Sequence, residues 1–245
     1  TNNELEKEIT DQRFKDFKQL LVKDEEFYQI IKPPKELKIE LETQVTSQNW
    51  NEEYYNGLNN IENFGYGDLD ELIFKSKKFS KHQISNSILF DGDNIITTDI
   101  KGNLIFFSTS SQNFFKFNFY KKRYKKLEKK LRIIRDNNII FVADNIGYLY
   151  AFNYKKKILV WAKNYKVPFR SNFKISNNKI FIANQDNVLN IINKSNGQKL
   201  KTIPTEQVVL KNEFINSLAN NNKSLFYLNT FGSIYSINNK NLNLE

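Results

Sequence analysis

The stretch Asn138–Tyr165, NIIFVADNIGYLYAFNYKKKILVWAKNY, decides the fold. Ile139 to Ala143 is a β-branched and aromatic run, Tyr148 to Asn153 is a second, and Ile158 to Ala162 is a third, so the stretch predicts three short strands in sequence. Asp144-Asn145-Ile146-Gly147 supplies the first turn: Gly147 adopts a positive φ at no steric cost, and Asp144 and Asn145 can bond their own turn backbone. Lys155 to Lys157 turns the chain into the third run.

The same unit recurs in Asn94–Phe107 (NIITTDIKGNLIFF), Asn178–Ile192 (NKIFIANQDNVLNII) and Lys223–Ile237 (KSLFYLNTFGSIYSI). Each has Asp or Asn three residues before a turn residue, and those turn residues are Gly102, Gly147, Asn187 and Gly232, at spacings of 45, 40 and 45. A period of this size built wholly from strands is that of a four-stranded blade, and it predicts an all-β fold, a β-propeller of antiparallel blades. Ile84–Asp91, Leu131–Asp136, Asn172–Ser176 and Phe214–Leu218 precede the units and are expected to be the first strands, giving about four blades of an incomplete ring. Blades need their neighbours to bury both faces, so residues 47–245 read as one partial propeller. Trp161 follows Gly147 by 14 residues, and Phe115 and Leu200 stand at the matching offset to within one residue. A large apolar side chain there is expected to pack one blade against the next, contributing roughly 1.5 to 3 kcal/mol.

Residues 1–46 read differently. Phe14, Phe17, Leu20, Leu21, Phe27, Ile30 and Ile31 share one face of a charged helix that Pro33 and Pro34 end, followed by an alternating strand or linker at Leu37, Ile39 and Leu41. Thr46–Asp68, with Trp50, three Tyr and three Gly, is expected to be irregular and packed, closing over one end of the sheets. Leu72–Phe79 reads as a strand ahead of the first blade. The chain holds no Met, and its end at Glu245 falls inside the fourth unit, so it reads as a fragment whose open arc exposes sheet edges.

Composition limits the chemistry. There is no Cys, hence no disulfide, thiolate metal site or cysteine nucleophile, and the only His is His82 in a Lys-rich stretch. No apolar run approaches the roughly 18 residues that span a bilayer. The net charge is +10, but only five of the 37 cations are Arg and Asn occurs 36 times, a bias expected of AT-rich codon usage. The run Tyr120–Lys130 (YKKRYKKLEKK) therefore reads first as a solvated edge rather than a nucleic-acid site. No nucleophile-elbow, zincin or phosphate-loop motif is present.

The segment Gly147–Trp161, GYLYAFNYKKKILVW, resembles the DGxLYALDxxTGKxLW repeat of the pyrroloquinoline-quinone-type propellers, over about Leu72 to Glu245. Within that group Val167-Pro168-Phe169-Arg170-Ser171 is similar to the apolar, Leu-Arg-Gly-like loop of the BamB-like outer-membrane assembly factors. The resemblance implies a periplasmic, non-catalytic scaffold without cofactor, metal, nucleic acid or small-molecule substrate. It implies a membrane contact only through an N-terminal anchor outside this sequence. It also implies that Val167, Phe169 and Arg170, with an acidic loop one blade later at Glu213, contact the periplasmic domains of the barrel-forming subunit. Lys211 has the opposite charge to that second loop. The structural reading stays open beside it: Phe169 covers a blade edge, and Arg170 satisfies an internal carbonyl or carboxylate. Two further functions fit the same fold: a quinoprotein dehydrogenase, which lacks its vicinal cysteines here, and a generic protein-interaction propeller.

Overall fold

The computed structural model describes residues 32–38, 40–41, 43–46, 49–65, 67, 72, 74–85, 87–207, 214–221 and 223–245. The expected N-terminal helix lies outside the described residues. The chain divides into two compact units, Thr1–Leu41 and Glu42–Glu245. In the first, Leu37 and Leu41 are exposed.

The second unit is a stack of antiparallel sheets. Blade 1 is β1 (Leu89–Phe90), β2 (Asn94–Thr98), β3 (Asn103–Ser108) and β4 (Phe114–Asn118). Blade 2 is β5 (Arg132–Asp136), β6 (Ile139–Ala143), β7 (Tyr148–Asn153) and β8 (Ile158–Asn164). Blade 3 is β9 (Phe169–Ser176), β10 (Lys179–Asn184), β11 (Val188–Asn193) and β12 (Lys199–Pro204). Blade 4 is β13 (Ser217–Asn220), β14 (Ser224–Leu228) and β15 (Ile234–Asn238), followed by an antiparallel bridge between Ile237 and Leu244. Strands neighbour one another in sequence order within every sheet. The first strands of successive sheets lie side by side, β1 by β5, β5 by β9 and β9 by β13. That is the inner ring of a β-propeller, the fold the repeat predicts.

The four turns are equivalent in detail. One side-chain oxygen accepts two N–H groups: Asp99 from Lys101 and Asn103, Asp144 from Ile146 and Tyr148, Asn184 from Asp186 and Val188, Asn229 from Phe231 and Ser233, all at 2.8–3.1 Å. The φ angles of Gly102, Gly147, Asn187 and Gly232 are 81°, 97°, 57° and 88°. Asn serves at position 187 because its short polar side chain tolerates the left-handed region.

Three apolar seams join the blades. The first packs Leu89, Ile96, Leu104 and Phe106 of blade 1 against Ile133, Ile140, Val142, Tyr150 and Phe152 of blade 2. The second packs Ile134, Phe141 and Leu149 against Phe173, Ile180 and Ile182, and the third packs Phe181, Leu189 and Ile191 against Leu218, Leu225, Tyr227 and Ile237. Successive side chains in a strand point to opposite faces, so each blade feeds two seams.

The outer anchors differ from the sequence reading at one position. Phe115 pairs with Phe106 and Trp161 with Ala151, but in blade 3 the equivalent partner, Ile191, pairs with Lys201. A register shift between Ile191 and Ile192 leaves Leu200 48% exposed, so Leu200 is not an anchor. Trp161 Nε1 donates to the Lys194 carbonyl at 3.1 Å, in the next blade's outer turn, while the Lys201 ammonium donates to the Leu242 carbonyl at 2.7 Å in the corresponding turn. Phe115 receives the Lys157 ammonium over its ring at 4.8 Å. One site thus holds Phe, Trp and Lys, each reaching the following blade.

The first strands of blades 1 and 4 are shorter than expected or shifted: β1 covers Leu89–Phe90 and β13 covers Ser217–Asn220. Phe74 and Phe79 cover blade 1 on its outer face through Phe107, at 5.6 and 5.1 Å between rings. Residues 49–59 cross the inner strands toward their C-terminal ends. Trp50 exchanges both backbone hydrogen bonds with Phe90, Arg135 N donates to Asn51 O at 2.8 Å, and Asn220 N donates to Gly57 O at 2.7 Å. At blade 3 the buried Lys174 ammonium meets Glu52 at 2.5 Å and the Asn56 carbonyl at 2.9 Å. Burial pushes Lys174 down and Glu52 up, and each opposes the other's shift. Removing either partner leaves a buried, unpaired charge, a loss of about 3–5 kcal/mol.

Two predictions follow the repeat. Asp144→Asn keeps both accepted N–H bonds, as Asn184 and Asn229 do, so it is expected to lower stability by no more than about 1 kcal/mol, whereas Asp144→Ala costs about 1–3 kcal/mol in a denaturant titration. Leu149 and Ile234 occupy the same repeat position, but Leu149 is fully buried and Ile234 is 71% exposed. Leu149→Ala is therefore expected to cost about 2–5 kcal/mol, and Ile234→Ala about 0.5 kcal/mol or less.

Candidate interaction face

Strands alternate in direction, so the four Asp/Asn turns and the connections between blades all emerge at one end of the sheets, the top face. The connections are residues 119–131, 165–168 and 205–216, of which 208–213 lie outside the described residues.

A hydroxyl from the preceding connection binds the turn side chain in three blades. Ser80 Oγ donates to Asp99 Oδ2 at 2.7 Å, Tyr120 OH donates to Asp144 Oδ2 at 2.7 Å, and Asn229 Nδ2 donates to Thr205 Oγ1 at 3.3 Å. In blade 3 the corresponding Tyr165 instead donates to the Gly197 carbonyl at 2.6 Å. Burial raises the Tyr165 phenol to about 12. Burial also raises Asp144, against the hydrogen bonds it accepts from Tyr120 and its own turn. For Asp99 burial works the same way but is outweighed by the bonds from Asn103, Ser80 and the turn backbone, and the carboxyl is lowered. Glu206 is lowered to about 2 because Ser233 and Tyr235 donate to it, with Asn229 adding a further bond.

Beside Asp99 the face sinks into a cavity of about 360 Å³ lined by Gln83, Ser85, Thr98, Asp99, Lys129 and Arg132, among others. Thr98 Oγ1 is buried there without a hydrogen-bond partner. Arg132 is held by Glu53 on the inner strap. Among the described residues no three His, Cys, Asp or Glu side chains converge as a metal site would require, and no helix is long and apolar enough to cross a membrane. His82 is exposed.

Phe169 is not a loop residue. It opens β9, is 5% exposed, meets the Tyr165 ring edge-on at 5.5 Å, and donates its N–H to the Asp144 carbonyl at 3.3 Å. Pro168 costs no strand bond because it lies just outside β9, where its carbonyl accepts Gln185 N at 2.9 Å. Arg170, half-buried in β9, accepts Asn216 N on its carbonyl. Val167 is half-buried, with its backbone 3.0 Å from where a side chain on Gly147 would sit. Glu213 lies outside the described residues. Val167 and Arg170 thus reach the surface while Phe169 packs beneath them.

The connection 119–131 was legible only as a charge run. In the structure Lys129, 2% exposed, donates to the Tyr124 and Leu127 carbonyls and lies 4.8 Å over the Tyr120 ring. Asn145 clamps the loop from blade 2, accepting Lys130 N at 3.0 Å and donating to Glu128 O at 3.2 Å. Burial lowers the Lys129 ammonium, and the neighbouring Lys101 lowers it further.

These features define a β-propeller whose blades are tied together by their own turn side chains and whose surface chemistry is set by the connections between blades. No family model matches the chain, and no curated protein does. Among solved structures, the computationally designed Ika4 protein is similar over 69% of this chain and 99% of its own, at 9% identity and a TM-score of 0.56. Sqt1 from Saccharomyces cerevisiae is similar over 63% of this chain and 44% of its own, at 13% identity and a TM-score of 0.51. BamB from Moraxella catarrhalis is similar over 61% of this chain and 41% of its own, at 16% identity and a TM-score of 0.48. The chain spans less than half the length of the last two, and the likeness is one of fold.

The pH dependence of the face follows from Asp99. Its folded pKa is depressed, so its contribution is present above the unfolded value of about 3.9 and is lost as pH falls through the folded one. Ser80→Ala is expected to cost about 1.5–3 kcal/mol at pH 7, a hydrogen bond to a charged group. The difference from wild type should shrink toward zero in unfolding titrations as pH falls through the depressed folded pKa of Asp99.

Proposed function

We propose that the protein is a non-catalytic interaction scaffold that holds another protein on its top face. The observation that supports this reading is the division of polar groups on that face. The turn side chains Asp99, Asp144, Asn184 and Asn229 spend acceptors on their own hairpins, Asp99 and Asp144 also on the Ser80 and Tyr120 hydroxyls, and the connections between blades, which differ in length and charge, present the remaining chemistry to solvent.

In its finer form the proposal places the protein with the BamB-like outer-membrane assembly factors. It is then a periplasmic subunit, anchored to the membrane by a segment outside this sequence, that binds the periplasmic domains of the barrel-forming subunit. It needs no cofactor, small-molecule substrate or nucleic acid for that role. Support comes from the repeat sequence Gly147–Trp161 and from Val167–Ser171, with Val167 and Arg170 as contacts and Phe169 as the buried support that sets their position. An Arg beside an apolar side chain combines a forked donor with a desolvated anchor, residue types common at binding hot spots.

The test is capture of the purified periplasmic domains by the full-length protein. Wild type should capture them, and Arg170→Ala should weaken capture at least about tenfold, or 1.4 kcal/mol, with an unchanged thermal midpoint. Absence of capture by wild type removes the outer-membrane role, and quinone-dependent dye reduction by wild type would overturn the scaffold reading in favour of a quinoprotein dehydrogenase.

A further inference from the structure

We infer that the connection between blades 1 and 2 is a docking platform for an acidic protein segment that also offers an apolar side chain. The inference rests on the scaffold reading and names the chemistry of the partner.

Among the connections between one blade and the next, cationic charge is concentrated in this one, while the segment ahead of blade 1 carries exposed Lys75, Lys77, Lys78 and Lys81. Lys121, Lys122, Arg123, Lys125, Lys126 and Lys130 are exposed, against one exposed acid, Glu128. The connection 165–168 has a single cation, Lys166, and the described residues 205–207 include a single acid, Glu206. Six like charges in one loop repel one another, and an acidic segment laid across them relieves that repulsion.

The loop is also ordered, unlike a solvated charge run. A 3-10 turn over Lys122–Tyr124, the buried Lys129 ammonium on two loop carbonyls, the two Asn145 bonds and the Lys129 N–H on the Ile100 carbonyl at 2.9 Å fix its backbone. Its cations are presented from a preformed frame, so less conformational entropy is lost on binding. Lys129 is the one lysine of the run turned inward, and the others are exposed.

Two features favour a protein segment over a nucleic acid. Leu127 is 50% exposed in the middle of the cationic surface, where a phosphate backbone gains nothing from it. Tyr124 has Arg123 at 4.6 Å over its ring and meets Tyr148 edge-on at 6.1 Å, so its faces are engaged within the protein rather than free to stack a base. An acidic peptide with an apolar residue satisfies both the charge and Leu127.

The probe is a fluorescein-labelled peptide of alternating Glu and Leu, followed by anisotropy at about 0.15 M salt, where exposed charges further apart than about 8 Å are screened. Wild type is expected to bind it. The exposed double variant Lys122→Glu/Lys126→Glu should bind at least about tenfold more weakly, and Leu127→Ala several-fold more weakly, both with unchanged thermal midpoints. Equal binding by the double variant, or no binding by wild type, overturns the inference. So does a single-stranded DNA oligonucleotide or a phosphatidylglycerol vesicle that binds more tightly than the peptide and is indifferent to Leu127→Ala. Failure here with intact, Arg170-dependent capture of the periplasmic domains removes the platform and leaves the scaffold reading standing.

Discussion

A single side-chain oxygen at the head of each second hairpin, on Asp99, Asp144, Asn184 or Asn229, accepts two backbone N–H groups of that hairpin. That interaction fixes strand register, and register fixes which side chains face which neighbour. A slip of one residue would turn Phe141 and Leu149 away from the second seam and present Ile140 and Tyr150 in their place. The seams, the inner ring and the top face all follow from that register.

The inner strands pose a separate problem, because an edge with free N–H and C=O groups invites pairing with another chain. Residues 49–59 answer it from within. The strap makes backbone bonds to blades 1, 2 and 4 and puts its one buried ion pair at blade 3, where β9 already leans on β13 through the Ser171–Asn216 bridge and the Asn172 side chain. At blade 3 the strap offers the Glu52 carboxylate and the Asn56 carbonyl to the Lys174 ammonium instead of a backbone-to-backbone bond.

The period and the turn residues were legible because both arise from local chemistry: alternation within strands, and Gly or Asn at the positive-φ position of each Asp/Asn-headed hairpin turn. What was illegible depended on tertiary context. Leu200 looked like an anchor because an apolar residue stood at the right offset, yet a bulge moves Lys201 into the site, and an amine that reaches a carbonyl leaves no mark on a hydrophobic pattern. Phe169 read as loop because Val167–Ser171 resembles a family loop, although Phe169 opens β9 and a proline just before a strand removes no ladder bond. The strap is polar and aperiodic, so only Trp50 and the close approach at Gly57 set it apart, and neither names its destination. On the top face the lysines of residues 121–130 were visible as charge, but nothing in the sequence separates Lys129, which orders the loop, from the lysines it displays.

The anchor site makes the seams unequal in heat capacity. At the first two seams it is filled by Phe115 and Trp161, whose contribution comes largely from apolar area and therefore weakens on cooling. At the third, Lys201 reaches the Leu242 carbonyl through a polar group, and polar surface carries a heat-capacity increment of opposite sign. Blades that share one backbone plan thus respond to temperature to different degrees, and the relative firmness of the joints between them shifts between cold and warm conditions without any change in fold.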